Sequence, residues 1–143
     1  MKNLLLFVSV LISMVGIAQN RIPAFEMNDR LGRGINMGNT FEAPSEDEWG
    51  NPWKPEYFKV ISELGFNHVR LPVRWEPASR SMATAPYTIQ PVFLERIKAV
   101  VDTALRYNLH IIVNMHHHEA LYENPATQKS RFLSQWYQIA DYF

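Results

Sequence analysis

Three apolar segments, each followed by a segment with helical periodicity, constrain the fold of this chain more than any other feature of its sequence. The strand-like segments are 31–40, 66–72 and 109–116, and the helical segments begin near Pro55, Pro91 and Thr127. A repeated order of strand and helix is typical of parallel β/α units joined by right-handed crossovers. The sequence therefore predicts an α/β fold built on a parallel sheet.

Apolar side chains recur at helical spacing in all three helical segments, and we expect these stripes to face the sheet. The stripes are Tyr57, Val60, Ile61 and Leu64, then Phe93, Ile97, Val100, Val101 and Ala104, then Phe132, Trp136, Ile139 and Ala140. Residues 21–30 and 117–126 are predicted to be irregular, and 75–89 a longer loop. Pro72 is predicted to end the second strand, because proline is disfavoured in a central strand. Gly65 and Asn108 fit the ends of the first two helices.

The N-terminus has the pattern of a signal peptide. Lys2 precedes an apolar run over residues 4–18, and small residues, Gly16 and Ala18, suit cleavage after Ala18. A membrane anchor is the alternative, but serines interrupt a run that is already short for a stable span. We expect a signal peptide over residues 1–18, no stable membrane span after cleavage, and a secreted, periplasmic or cell-surface protein.

Composition excludes some classes of partner. The chain has 14 basic and 14 acidic residues, so charge gives no reason to expect nucleic acid as a partner. It has no cysteine, which excludes disulfide bonds. Its apolar content, 47% of residues, suits a packed core rather than disorder.

Polar side chains cluster where each predicted strand ends. These residues are Asn36, Asn39 and Glu42 after the first strand, Arg70 in the second, and Asn114, His116 and His117 at the end of the third. Parallel strands bring their carboxyl ends to one edge of a sheet, where active sites lie. A buried arginine needs an anionic partner. The alternative to a functional site is a structural ion pair of Arg70 with Glu42 or Glu76.

Two other kinds of site have partial sequence support. The glycine-rich segment 31–40 could suggest a phosphate loop, but it lacks Gly-Lys-Ser/Thr and the dinucleotide spacing. The run from His116 to Glu119 could suggest a metal site. Adjacent strand residues point to opposite faces, however, and the His-Glu-x-x-His spacing is absent. We therefore expect no metal and no other cofactor.

Three ordered motifs, Gly34–Asn39, Gly65–Trp75 and Ile111–His117, resemble the first three strand motifs of glycoside hydrolase family 5. Gly38–Pro44 and Phe132–Ala140 are similar to its bacterial endoglucanase branch, some members of which also cleave mannan. The resemblance covers residues 31–143. It implies a partial (β/α)8 TIM barrel containing the first three β/α units only, whereas the whole fold takes ~250 residues. Residues 19–143 would be the N-terminal part of the catalytic domain.

The resemblance also implies residue roles. Arg70 resembles the arginine that hydrogen-bonds the nucleophilic glutamate, and His116 the histidine beside the catalytic subsite. Asn39, Glu42 and His117 resemble residues that bind the sugar. The family's two catalytic glutamates follow strands four and seven, so we expect neither among these 143 residues.

The expected function is that of a secreted retaining endo-β-1,4-glycanase acting on cellulose, β-glucan or mannan. A non-catalytic carbohydrate-binding remnant is the alternative. These residues alone are expected to be inactive and prone to aggregate through unpaired strand edges.

Four further side chains each fit more than one role. Trp49, Trp53 and Tyr122 could stack on pyranose rings or simply pack. His118 stands where the family pattern predicts an aromatic residue, and it could replace a sugar-stacking surface with a titratable one.

Overall fold

The computed structural model describes residues 22–143, so the predicted signal peptide lies outside the described residues. The elements are, in chain order, α1 (Ala24–Leu31), β1 (Gly34–Asn36), α2 (Glu56–Glu63), β2 (His68–Val73), α3 (Pro91–Arg106), β3 (His110–Met115), α4 (Glu119–Glu123) and α5 (Pro125–Tyr142). Within this part of the chain, no helix combines the length and the apolar character needed to cross a bilayer.

The three strands form one parallel sheet in the order β1-β2-β3. Asn36 lies opposite Arg70 in the β1–β2 pair, and Arg70 lies opposite Ile112 in the β2–β3 pair. All three strands therefore point their carboxyl ends towards the same edge. The predicted parallel β/α order is confirmed.

The core lies between one face of the sheet and the helices. Val69, Leu71 and Val73 of β2 are fully buried in it. Each such side chain contributes about 1.5–3 kcal/mol by leaving water. Alternate residues of β3 (Ile111, Val113 and Met115) pack against the same cluster, as predicted. The opposite face of the sheet is thus left for Arg70, Asn114 and their neighbours.

The helices bury stripes that differ in part from the predicted ones. In α3, Ile97, Val100 and Ala104 are buried, as predicted. In α2 the buried residues are Phe58 and Ile61, whereas Val60 and Leu64 are 51% and 62% exposed. The prediction for those two residues was wrong, because the helix turns Phe58 rather than Val60 towards the core.

Helix α5 buries a stripe that is mostly polar. Its buried residues are Arg131, Gln135 and Ile139, whereas Ala140, predicted to face inward, is exposed. The reason is the surface against which α5 packs. Arg131 Nη2 donates to the carbonyl oxygen of Glu76 at 2.6 Å, and Gln135 Nε2 donates to Ser81 Oγ at 2.8 Å. A buried loop backbone needs such donors.

Four predicted boundaries were also wrong. The first strand, predicted over 31–40, is only Gly34–Asn36. Residues 21–30 contain α1, which buries no side chain and so shows no core-facing stripe. Residues 117–126 contain the short helix α4. Strand β2 continues through Pro72 to Val73. The carbonyl of Arg70 and the N–H of Arg74 make their hydrogen bonds on the β1 side of β2. The backbone nitrogen of Pro72 faces the same side. Because the last β1 residue pairs with Arg70, no strand among residues 22–143 requires an N–H at position 72.

Candidate active site at the carboxyl end of the sheet

Arg70 is held at the centre of the polar face by two amide side chains. Its Nη1 donates to Asn36 Oδ1 on β1 at 2.5 Å. Its Nη2 donates at 2.8 Å to Asn114 on β3, when that amide is oriented with its oxygen towards the guanidinium. Within residues 22–143, no carboxylate forms a salt bridge with Arg70. The side chain thus spans three strands and still has an unneutralised charge.

The two acids considered as structural partners of Arg70 are engaged elsewhere. Glu42 is only 4% exposed, and its carboxylate accepts from the backbone N–H groups of Asn39 at 2.5 Å and Thr40 at 2.9 Å. Glu76 accepts from Arg74 Nε at 2.8 Å and Nη2 at 2.6 Å. The alternative of a structural ion pair for Arg70 is therefore wrong.

The loop after β1 contains Asn39 and follows the carboxyl end of that strand. Asn39 has a left-handed backbone, with φ of 63°, and its side chain is exposed. The carboxylate of Glu42 accepts the N–H of Asn39, and Asn51 Nδ2 donates to the carbonyl oxygen of Gly38 at 2.8 Å. The predicted sugar contact of Glu42 stays a prediction; its role in shaping the loop is visible in these bonds.

His116 and His117 lie beside Arg70, where β3 ends. The N–H of His116 donates to the carbonyl oxygen of Val73 at 2.8 Å, which continues the sheet by one residue. The two imidazole rings meet at a centroid distance of 4.2 Å. Burial lowers the pKa of His116, and the charges of His117 and Arg70 lower it further, against the opposing effect of Glu42. A neutral imidazole can both donate a hydrogen bond to a hydroxyl group and accept one.

The aromatic residues fall into two groups. Trp49 is 41% exposed, and its ring meets His117 edge-on at 5.7 Å, beside the candidate site. Trp53 packs against Phe58 at 6.0 Å, with Arg96 5.0 Å above its ring. Its geometry is that of a packing residue. Tyr122 is an exposed side chain on α4.

His118 does not form the titratable sugar-stacking surface that the sequence left open as one role for it. Its side chain is only 3% exposed, so it offers no surface on which a sugar ring could stack. Sequence reasoning also missed its surroundings, where Arg74 Nη2 donates to Glu76 and, at 2.5 Å, to Glu119 Oε2. An acidic residue two positions after Arg74 was the only local signal for this network. Within residues 22–143, no three histidine, aspartate or glutamate side chains are grouped as metal ligands.

Comparison with known proteins identifies the family. A family model described as cellulase (glycosyl hydrolase family 5) matches residues 29–143. The chain belongs to glycosyl hydrolase family 5. The family has the (β/α)8 barrel fold, and β1, β2 and β3 are its first three strands, as predicted. The polar face described above is therefore at the carboxyl end of barrel strands, where barrel enzymes have their active sites.

The most similar proteins include bacterial endoglucanases. Endoglucanase H of Acetivibrio thermocellus is 39% identical over 122 residues, which are 85% of this chain and 13% of that protein. The structure of Thermotoga maritima Cel5A with mannotriose has 47% identity and a TM-score of 0.79, over 82% of this chain and 38% of that one. The structure of Thermotoga maritima Cel5A with cellobiose gives the same identity, TM-score and coverage. The family 5 chain described here thus spans well under half the length of these relatives.

Proposed function

We propose that this chain forms the first part of the active-site face of a retaining endo-β-1,4-glycanase. The observation that carries the proposal is Arg70, whose guanidinium is fixed by Asn36 and Asn114 and has no carboxylate partner within residues 22–143. A preorganised cation without a counter-ion at the mouth of a barrel is suited to orienting an anionic catalytic group.

The proposed mechanism requires two catalytic carboxylates, which the family has after barrel strands four and seven. Retaining glycosidases place these groups ~5 Å apart, one as nucleophile and one as acid/base. Arg70 would keep the nucleophile ionised and aimed at the anomeric carbon through charge-assisted hydrogen bonds. His116, neutral because of its lowered pKa, would hydrogen-bond a sugar hydroxyl beside the scissile bond. His117, Asn39 and Glu42 would bind hydroxyls of neighbouring sugars.

The proposed substrate is a β-1,4-linked polysaccharide. Several relatives are named endoglucanases, which supports cellulose or another β-glucan. The Thermotoga maritima relative was crystallised with both cellobiose and mannotriose, which supports mannan or glucomannan as a further substrate. The signal-peptide pattern over residues 1–18 supports a secreted, periplasmic or cell-surface enzyme.

The test is hydrolysis of carboxymethyl-cellulose and glucomannan by the protein from the complete reading frame. Arg70→Lys keeps the charge but cannot span two amides, and we expect kcat to fall about 10²-fold or more. His110→Ala, at the other end of β3, is the matched control and should leave kcat within about twofold. Binding of oligosaccharides without hydrolysis would favour the carbohydrate-binding remnant. Equal kcat for wild type and Arg70→Lys would refute the role of Arg70.

A further inference from the structure

The imidazole of His118 is a buried titratable group that the proposed mechanism does not use. It directly follows the pair formed by His116 and His117, and it is 3% exposed. Neither of its ring nitrogens has a hydrogen-bond partner among the described residues. A buried polar group without partners destabilises the protein that contains it, so its position calls for an explanation.

Charged groups face His118 from three elements. The charges of Arg131 on α5, Arg74 directly after β2 and Glu119 on α4 all act on its imidazole. Arg131 is itself buried, and its Nη2 bonds only the carbonyl of Glu76 and the hydroxyl of Ser81. Arg74, in contrast, is paired with the carboxylates of Glu76 and Glu119. Of these three charged groups, the one without an oppositely charged partner among residues 22–143 is therefore the positive Arg131.

This environment favours the uncharged imidazole. Burial lowers the pKa of His118 from its usual value, and the charges of Arg131 and Arg74 lower it further. Gln128 and Glu119 act in the opposite direction without reversing the result. The side chain of Gln128 lies near the ring but lacks the geometry of a hydrogen bond.

The backbone connects His118 to the two candidate sugar-binding histidines. His116 is anchored to the sheet through its N–H bond to Val73. The carbonyl of His118 accepts the N–H of Leu121 at 3.0 Å, which anchors the other end of the segment to α4. Between these anchors, His117 has φ of 53°. A left-handed backbone is uncommon for histidine, so the contacts around His117 contribute to holding it there.

We propose that His118 is a positioning residue, which holds the left-handed His117 in place while its imidazole is uncharged and releases His117 when it binds a proton. A protonated imidazole cannot stay buried beside Arg131 without a counter-ion, so the ring would leave its site. The backbone of His117 would then relax, and its contact with His116 would be lost. This inference rests on the proposed function only in treating His116 and His117 as sugar ligands.

The direction of the pH effect follows from the lowered pKa. The neutral form, and with it the ordered histidine pair, is fully populated above the usual histidine pKa of about 6.5. The pair becomes disordered as the pH falls through the lower pKa of folded His118. Sugar affinity should weaken over the same range.

The experiment uses the protein from the complete reading frame, with cellotriose as the probe. As the pH is lowered from about 7, KM for cellotriose should rise about fivefold or more in the wild type once the pH is below the pKa of His118, because the competent fraction falls. His118→Phe fills the site with an uncharged ring, and its rise in KM should be at least about twofold smaller than that of the wild type, because only the protonation of the sugar ligands themselves remains. His118→Gln is the second uncharged variant, in case the first does not fold. His110→Gln removes a histidine from the other end of β3 and should keep the wild-type rise.

NMR titration of the histidine rings gives a readout that needs no substrate. In the wild type, the His117 resonances should show an inflection at the pKa of His118, and this inflection should be absent from both His118 variants. A rise in KM that is as large in both variants as in the wild type, or a His118 titration without effect on His117, would overturn the inference. Absence of cellotriose binding at every pH would refute the proposed function instead, and the NMR coupling would still decide the role of His118.

Discussion

Replacing Glu42 with glutamine should destabilise the loop that presents Asn39. The two carboxylate oxygens of Glu42 each accept one backbone N–H, from Asn39 and from Thr40, in a site that is almost closed to solvent. A glutamine side chain has one oxygen and one NH2 group, so one of these N–H groups would face another donor. Hydrogen bonds to charged groups contribute about 1.5–3 kcal/mol each, and a buried donor left unpaired costs about 1–3 kcal/mol.

The free energy of unfolding of Glu42→Gln should therefore fall by about 2–4 kcal/mol, because one such bond is lost and the other is weakened. Urea unfolding of the protein from the complete reading frame measures this change. Hydrogen exchange at the amides of Asn39 and Thr40 should accelerate in the variant, which localises the effect.

The control for this prediction is Glu48→Gln. Glu48 lies in the same loop and accepts only from the hydroxyl of Ser45, at the surface. Its loss should change stability by less than about 0.5 kcal/mol. If Glu42→Gln were as stable as Glu48→Gln, with unchanged exchange at both amides, the carboxylate would not be supporting the loop.

Two further predictions concern Arg70 and the close approach of β1 to β2. Arg70→Gln should raise the pKa of His116, because the arginine charge helps to lower it; an NMR titration of His116 measures this change. The control is Arg106→Gln, which removes a charge from α3 and should leave the pKa of His116 unchanged. Gly34→Ala should destabilise the protein by about 2 kcal/mol or more, because the new Cβ would overlap the His68 ring. In the His68→Ala background that cost should largely disappear, and equal costs in both backgrounds would contradict this explanation.

The sequence predicted those features that depend on local pattern. The exposed and buried faces of β3, the left-handed Asn108 and the alternation of strands and helices all follow from residues near each other in the chain. Arg70 was also identified correctly as a polar side chain on the same face of the sheet as Asn114, although it lies within β2 and not at its end. Its position between Asn36 and Asn114 required only that parallel strands keep their register.

The features that were missed depend on residues far apart in sequence. Helix α5 buries Arg131 and Gln135 because the loop after β2 turns a carbonyl and the hydroxyl of Ser81 towards it. An apolar stripe cannot reveal that requirement. The burial of His118 likewise depends on where α5 packs, and the engagement of Glu42 depends on the path of its own loop.

The positive φ angles of Asn39 and His117 restrict any attempt to change substrate preference by mutagenesis. Both candidate ligands have a left-handed backbone, with φ of 63° and 53°. Many substitutions at these positions would therefore destabilise the fold, whatever their effect on sugar binding. Valine, isoleucine and threonine would be sterically strained at these φ angles, whereas glycine, asparagine and aspartate adopt them readily. A saturation library at these two sites would therefore sample far fewer folded variants than its nominal diversity suggests.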